Sequence, residues 1–324
     1  MTVDVEHLFV DAGEIRMHAA VAGPPDGPAV LLCHGFPESW YSWRHQLRAL
    51  SEAGYRVIAP DQRGYGLTDA PPEVSSYSQL HLVGDLVGLL NGLGISSATV
   101  VGHDWGGPVA WHAALLRPDV FPAVVGISVP FGPRLLGNVR PTEMMRSALA
   151  DAFLYVLYFQ DVGVAEAELD GDIRGTLRRI LYSISGDIPP EDFRFFDPAA
   201  RCFNDLLREP AALPDWLREE DLDVFAGEFE RKGTFRHGLN WYRNIDQTWE
   251  LMAPFVNAKV LQPALFIGAE RDAIFGLTTE AVLATREWVP QLRDPIWVPD
   301  CGHWIQQEEP EIVNAALLDF LAAT

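Results

Sequence analysis

Cysteine is scarce in this sequence, and so are the residue patterns of metal and cofactor sites. Its 324 residues include three cysteines, widely spaced and without a Cys-x-x-Cys pair, so neither a disulfide framework nor a zinc site is expected. The nine histidines form no His-Glu-x-x-His motif, and no Walker sequence is present. The Gly-x-Gly stretch at residues 63–69 does not open a helix at the spacing of a dinucleotide site. We therefore expect no metal ion and no cofactor.

Basic side chains and long apolar runs are also few. The chain has 24 lysines and arginines against 45 aspartates and glutamates, for a net charge of −21. Such a chain repels phosphate backbones and anionic lipid, so we expect neither nucleic acid nor a membrane as a partner. The longest apolar run, residues 152–159, is too short to span a bilayer, and the N-terminus lacks the pattern of a signal peptide. These features predict a cytoplasmic protein that acts on a small molecule, with a monomer and a homodimer both open.

What the chain does contain is a regular alternation of apolar strands and amphipathic helices. The alternation runs through the first third, stops at about residue 131, and resumes with the strand at 263–268. Apolar strands separated by helices predict a mostly parallel sheet with helices on both faces. We therefore predict an α/β core at residues 1–130 and 255–324. A mainly helical cap, residues 131–254, is inserted in it.

The stretch TVVGHDWGGPVA, residues 99–110, indicates a strand, a tight turn and a helix. Turns of this kind form the nucleophile elbow of α/β-hydrolases, usually with a serine at the centre, and small neighbours relieve the crowded backbone. Here the centre is Asp104. The alternative interpretation is a glycine-rich turn in which the aspartate caps the helix.

Two further residues follow later strands in the chain order of an α/β-hydrolase triad. Asp272 follows the strand at 263–268, and His303 lies in a loop before the last helix. Alone, they would be interpreted as a turn residue and a surface histidine. Together with Asp104, in order and each after its own strand, they favour a nucleophile, an acid and a base. Glu270 competes for the acid role, although it lies closer to the strand end.

The loop CHGFPESW, residues 33–40, directly follows a buried strand. A loop of this kind commonly offers a backbone N–H to an oxyanion, and the amides of Phe36 and Trp105 are the candidate pair. The alternative is a plain turn in which Phe36 packs. Because the donors are backbone groups, we expect His34 and His103 to be structural.

An aspartate nucleophile restricts the substrate. Its carboxylate is ionised at neutral pH, with an ordinary pKa of about 3.9. Attack on an acyl group would give a reactive anhydride, whereas attack on a saturated carbon bearing a leaving group gives an alkyl ester that activated water can hydrolyse. The substrate class is therefore an epoxide or an alkyl halide. An epoxide oxygen leaves as a basic alkoxide and needs a nearby acid, for which tyrosine is suited. The insertion offers four such tyrosines: Tyr155, Tyr158, Tyr182 and Tyr242.

The sequence resembles the epoxide hydrolases of the α/β-hydrolase fold, in particular the soluble type. The matching stretches extend from about residue 30 to the C-terminus. They are HGFPESWYSWR, APDQRGYG, GHDWGG, YFQDVGVAEAEL, FRHGLNWYRN and CGHW. The resemblance implies Asp104 as nucleophile, Asp272 and His303 as the water-activating pair, and Tyr155 and Tyr242 as the lid tyrosines that hold the epoxide oxygen.

The resemblance also implies which residues bind substrate, and the comparison with the family pattern shows two differences in this chain. Substrate would contact Phe36, Pro37 and Trp105 as well as the two lid tyrosines, and the peptide bond between Phe36 and Pro37 would be cis. Vertebrate members carry an additional N-terminal phosphatase domain that this sequence lacks, so only the hydrolase activity transfers. The family's acidic-Pro-Gly after the YFQ stretch is Asp-Val-Gly here, at residues 161–163.

Two alternatives remain open. A haloalkane dehalogenase would share the aspartate elbow and Trp105, but Phe36 occupies the loop position where many dehalogenases have a halide-binding asparagine. A catalytically silent α/β-hydrolase could act as a ligand receptor, although an intact triad argues against it.

Overall fold

An eight-stranded sheet forms the framework of the chain in a computed structural model that describes residues 4–148, 152–195, 197–272, 274 and 276–324. The strand order is β1-β2-β4-β3-β5-β6-β7-β8. β1 pairs antiparallel with β2 and β2 with β4, and the other five neighbours are parallel. The strands are β1 (Glu6–Asp11), β2 (Arg16–Ala22), β3 (Ala29–Cys33), β4 (Arg56–Pro60), β5 (Thr99–His103), β6 (Val124–Ile127), β7 (Ala264–Ala269) and β8 (Ile296–Val298). The predicted α/β-hydrolase architecture is confirmed.

Helices cover both faces of the sheet. Those of the core are α1 (Arg44–Glu52), α2 (Gln79–Gly92), α3 (Gly106–Leu116), α11 (Thr279–Ala284), α12 (Ile305–Glu308) and α13 (Pro310–Ala322). Leu31 in β3 packs in one apolar cluster with Leu86 of α2, whereas its neighbour Leu32 packs in the other with Leu47 of α1. Successive side chains of a strand point to opposite faces, so a strand covered on both sides is apolar throughout. This explains the uninterrupted apolar runs of the sequence.

The described elements between β6 and β7 are all helical. The α-helices are α4 (Pro141–Ala148), α5 (Tyr155–Tyr158), α6 (Val164–Leu169), α7 (Ile173–Ser183), α8 (Glu219–Lys232), α9 (Arg236–Arg243) and α10 (Ile245–Leu251), and 3-10 turns lie at Asp170–Asp172, Phe203–Leu206 and Ala253–Phe255. The segment lies over the sheet edge that carries Asp104, because Tyr242 of α9 packs edge-on against Phe36 and Trp105. The boundaries of a separate cap at residues 131 and 254 stay a prediction.

Two elements near the site end at defined turns. β6 ends at Ile127, because Ser128 has a φ of +69° and turns the chain out of the sheet. α11 is continued by a 3-10 turn at Thr285–Glu287. Among the described residues, no helix has the length and apolar character needed to cross a membrane.

Candidate active site

Asp104 occupies a sharp turn between β5 and α3. Its φ is +50°, in the left-handed region that non-glycine residues rarely adopt. The glycines around it are required by close packing: a Cβ at Gly102 would overlap the backbone of Gly106, and a Cβ at Gly106 would overlap the carbonyl of Cys33. The turn therefore holds the Asp104 carboxylate at the carboxyl end of the sheet, as the elbow interpretation expected.

The two carboxylate oxygens of Asp104 have different neighbours. The backbone N–H of Phe36 donates to Oδ1 at 2.7 Å, and Nε2 of His303 lies 3.5 Å from Oδ2. The Phe36–Pro37 peptide bond is cis, which confirms that expectation. Trp105 directly follows Asp104 at the N-terminal end of α3. Asp104 thus lies between a backbone donor on one side and an imidazole on the other.

His303 links Asp104 to a second carboxylate. Its Nδ1 is 3.1 Å from Oδ2 of Asp272, whose Oδ1 accepts the backbone N–H of Ile274 at 3.1 Å. Glu270 is exposed, and the structure brings Asp272 rather than Glu270 against the imidazole. Burial disfavours the imidazolium, but the carboxylates of Asp272 and Asp104 outweigh it and raise the pKa of His303 to about 10. The resting site therefore holds a protonated histidine between two carboxylates.

Ser128 is a member of this group that sequence reasoning missed. Its hydroxyl donates to Oδ2 of Asp272 at 2.5 Å and lies 3.3 Å from Nδ1 of His303. Burial opposes the charge of Asp272, yet His303 and this hydroxyl lower the pKa of Asp272. The available signal was position: Ser128 follows β6, whose carboxyl end lies at the same edge of the sheet as those of β5 and β7.

A buried carboxylate lies beneath the site. Glu38 is fully buried, accepts the backbone N–H of Gly35 at 2.9 Å and lies 2.8 Å from Nδ1 of His103. The other ring nitrogen, Nε2 of His103, donates to the backbone carbonyl of His303 at 2.8 Å. Burial opposes the charge of Glu38, but these partners hold its pKa at about 2. His34 likewise donates from Nδ1 to the Gly35 carbonyl at 2.9 Å. Both histidines have structural partners.

Two of the four candidate tyrosines face Asp104. Tyr155 and Tyr242 line both cavities that contain Asp104, and their ring centroids are 5.9 Å apart. The Tyr158 hydroxyl instead donates to Glu168 at 2.9 Å, and Tyr182 lines neither cavity. Burial, reinforced by the charge of Asp104, raises the pKa of Tyr155, and burial is also the largest cause of the raised pKa of Tyr242. Both phenols therefore keep their protons at neutral pH.

The two cavities meet at Asp104 and are mostly apolar. One extends toward His303 and the other toward Trp105. The first is lined further by Phe36, Phe159, Ile180, Ile184, Phe195, Phe203 and Ile274, and the second by Pro108, Val129, Met145, Val156 and Ile245. Such a lining suits an apolar molecule whose reactive centre lies between the tyrosines and the carboxylate. The described residues contain no group of three or more His, Cys, Asp or Glu side chains arranged to bind a metal ion.

The helices that carry the two tyrosines are tied together. Arg243 donates from Nε to the carbonyl of Phe159 at 2.9 Å, and both terminal nitrogens lie 2.9 Å from the oxygens of Glu166. Gln160 donates to the carbonyl of Tyr242 at 3.1 Å. The Asp-Val-Gly departure lies here: Gly163 has a φ of +91°, and its N–H donates to Glu166 at 2.8 Å. The turn closes without the family's proline.

Comparison with known proteins gives full-length similarities. A model of the alpha/beta hydrolase fold family matches residues 28–310. Epoxide hydrolase A of Mycobacterium tuberculosis is 45% identical over 317 residues, which cover 97% of this chain and 96% of that protein. Epoxide hydrolase 2 of Siraitia grosvenorii is 41% identical, with 98% of each chain covered. The crystal structure of epoxide hydrolase A from Mycobacterium thermoresistibile superposes with a TM-score of 0.91 at 45% identity and 98% coverage of both chains.

Proposed function

This chain belongs to the epoxide hydrolases of the α/β-hydrolase fold, and from that premise we propose that it converts epoxides and water to vicinal diols through a covalent ester on Asp104. The observation that carries the proposal is that an imidazole and two phenols lie around the carboxylate of Asp104. The carboxylate of Asp104 has His303 on one side, and the two tyrosines Tyr155 and Tyr242 share its cavities.

In the first half of the reaction, Asp104 attacks a carbon of the epoxide ring. A new carbon–oxygen bond forms to Oδ2 while the ring carbon–oxygen bond breaks, and Oδ1, held by the Phe36 N–H, becomes the carbonyl oxygen of the ester. The departing alkoxide takes a proton from Tyr155 or Tyr242. A buried phenol is a suitable acid here, because it is neutral before the reaction and is most stabilising when charge develops on the oxygen.

In the second half, His303 removes a proton from water, and the hydroxide attacks the ester carbon. The oxyanion at Oδ1 is held by the backbone N–H groups of Phe36 and Trp105. Collapse of this intermediate breaks the bond between the ester carbon and Oδ2, and the departing oxygen takes up the remaining proton of the attacking water. Asp104 is thereby left as a carboxylate, and the diol leaves with an oxygen that belonged to Asp104. Asp272 orients the imidazole and stabilises its positive charge.

The protons and charges balance over the cycle. In the resting site, protonated His303 faces the carboxylate of Asp104, since the pKa of His303 is raised to about 10. Esterification removes the negative charge of Asp104, which is one of the two carboxylates that raise the pKa of His303. The imidazole can then lose its proton, which restores the phenol that gave its own proton to the opened alkoxide. His303 is thereby converted from an acid to a base by the alkylation that precedes its task.

A haloalkane dehalogenase would use the same nucleophile but would have no need of two buried phenols beside it. Halide leaves as a weakly basic anion and needs only weak N–H donors. We therefore expect diol from an aryl epoxide and no chloride from a chloroalkane. Chloride release at a comparable rate would favour the dehalogenase. The absence of any turnover would favour a silent receptor.

The decisive test follows one oxygen atom. In a single turnover in 18O-water, with enzyme in excess over a styrene-type epoxide, the diol should carry essentially no label, and the Asp104 peptide should gain it. Under multiple turnovers the diol should acquire label as the carboxylate exchanges its oxygens. Full solvent label in the first-turnover diol would instead make Asp104 a general base.

A further inference from the structure

The loop that carries His303 is shaped by one carboxylate that the proposed mechanism does not use. This loop joins β8 to α12, and Glu308 is the last residue of α12. Its Oε2 accepts the backbone N–H of Gly302 at 2.8 Å, and its Oε1 accepts that of Trp304 at 2.9 Å. The residues immediately before and after His303 are therefore bonded to the two oxygens of the same side chain.

The same carboxylate reaches across to the helical segment between β6 and β7. Oε2 of Glu308 also accepts the backbone N–H of Gly186 at 2.8 Å, and the His303 N–H donates to the carbonyl of Ile184 at 2.9 Å. The approach is close, because a Cβ at Gly302 would overlap the backbone of Ser185. Ile184 itself lines the cavity that contains Asp104. The base loop and residues 184–186 therefore form one hydrogen-bonded unit.

We propose that Glu308 is a positioning residue for the hydrolytic half of the reaction. By holding the peptide groups on both sides of His303, it keeps Nε2 near Asp104 while Nδ1 stays on Asp272. The inference rests on the proposed covalent mechanism and adds to it a residue that does not contact substrate. Both contacts of the imidazole must be kept at once, so a small rotation of the loop would break one of them.

Loss of the Glu308 anchor should slow hydrolysis of the ester and leave alkylation unchanged. Alkylation depends on Asp104, the Phe36 N–H and the two tyrosines, and Glu308 forms no hydrogen bond with any of them. Hydrolysis depends on the placement of a water molecule by His303. Since a misplacement of about 1 Å can cost about 100-fold in rate, we expect hydrolysis of the ester to slow by about 10- to 100-fold when this anchor is lost.

The test compares Glu308→Gln with Glu309→Gln. The glutamine at 308 has nearly the same shape but only one acceptor oxygen, so at least one of the three backbone N–H groups faces an amide donor instead. Glu309 is the next residue and is exposed, so the same substitution there leaves the hydrogen bonds of the His303 loop intact. Alkylation and ester hydrolysis are measured separately by rapid quench at mildly alkaline pH, with the alkyl-enzyme quantified by intact mass.

The expected result is accumulation of alkyl-enzyme in Glu308→Gln, with normal alkylation, whereas Glu309→Gln behaves like the wild type. Equal slowing of both steps, or normal hydrolysis in Glu308→Gln, would overturn the inference and leave Glu308 a stabilising residue only. If Glu308→Gln does not fold, Glu308→Asp takes its place, because it keeps a carboxyl group on a shorter side chain. Glu308→Asp should show the same selective slowing of ester hydrolysis, and normal hydrolysis in this variant would refute the inference. A wild type that forms no alkyl-enzyme would instead contradict the proposed mechanism itself.

Discussion

Replacing the two lid tyrosines tests how the epoxide oxygen is activated. In Tyr155→Phe or Tyr242→Phe, one hydrogen-bond donor is lost and the ring is retained. Both phenols are enclosed among aromatic rings and share their cavities with Asp104, so each would donate to the departing oxygen in a medium of low polarity. Loss of one donor to a developing oxyanion in such a site costs about 2 to 4 kcal/mol. At about 1.4 kcal/mol per tenfold, the alkylation rate should fall by roughly 30- to 1000-fold in each single variant.

The assay is a single turnover with enzyme in excess, followed by rapid quench, so that alkylation is observed without product release. The double variant should be nearly inactive, because no acid then remains beside the alkoxide. Tyr158→Phe is the matched control: it lies on the same four-residue helix as Tyr155, but its hydroxyl is engaged with Glu168. Its alkylation rate should equal that of the wild type. A large loss in Tyr158→Phe, with normal rates in the other two, would refute this assignment of the acids.

Four further predictions concern the base and its surroundings. His303→Gln should trap a stoichiometric ester on the Asp104 peptide, seen by intact mass and peptide mapping; wild-type turnover without label would remove the histidine from the mechanism. Asp272 and the Asp104 carboxylate together raise the pKa of His303 to about 10, and the ester lacks the Asp104 charge, so ester hydrolysis should rise with pH and level off below pH 10. If the rate of ester hydrolysis reached its plateau only near pH 10, the proposed effect of the Asp104 charge on the pKa of His303 would be contradicted. Ser128→Ala should slow hydrolysis by up to about tenfold and leave alkylation unchanged, since a hydrogen bond to a charged group contributes about 1.5 to 3 kcal/mol and the loss is shared with other partners of Asp272. Glu38 has a pKa lowered from 4.5 to about 2, so its ionisation stabilises the fold above 4.5, and this contribution is lost as the pH falls toward 2. Urea unfolding of Glu38→Gln should therefore show a deficit relative to wild type at neutral pH that narrows over that range, and a constant deficit would refute the assignment.

The sequence by itself determined the fold class and most of the candidate site. Uninterrupted apolar runs predict strands of a parallel sheet that is covered on both faces. Such strands have no solvent-exposed face, so polar and apolar residues do not alternate along them. The turn at Asp104 can be predicted from the local sequence, because the glycines that it requires are its neighbours in the chain. Asp272 and His303 were predicted from their positions after strands, because the topology brings the carboxyl ends of parallel strands to one edge.

Only the tertiary structure decided which side chains share that edge with them. Ser128 lies 144 residues before Asp272 and Glu308 lies 122 residues after Gly186, and no local period relates residues so far apart. The choice among four tyrosines had the same origin: Tyr155 and Tyr158 are three positions apart on one short helix, and packing against neighbouring helices decides which of them faces Asp104. Hydrogen bonds between distant parts of a chain depend on how its elements pack, and that packing is a property of the whole fold.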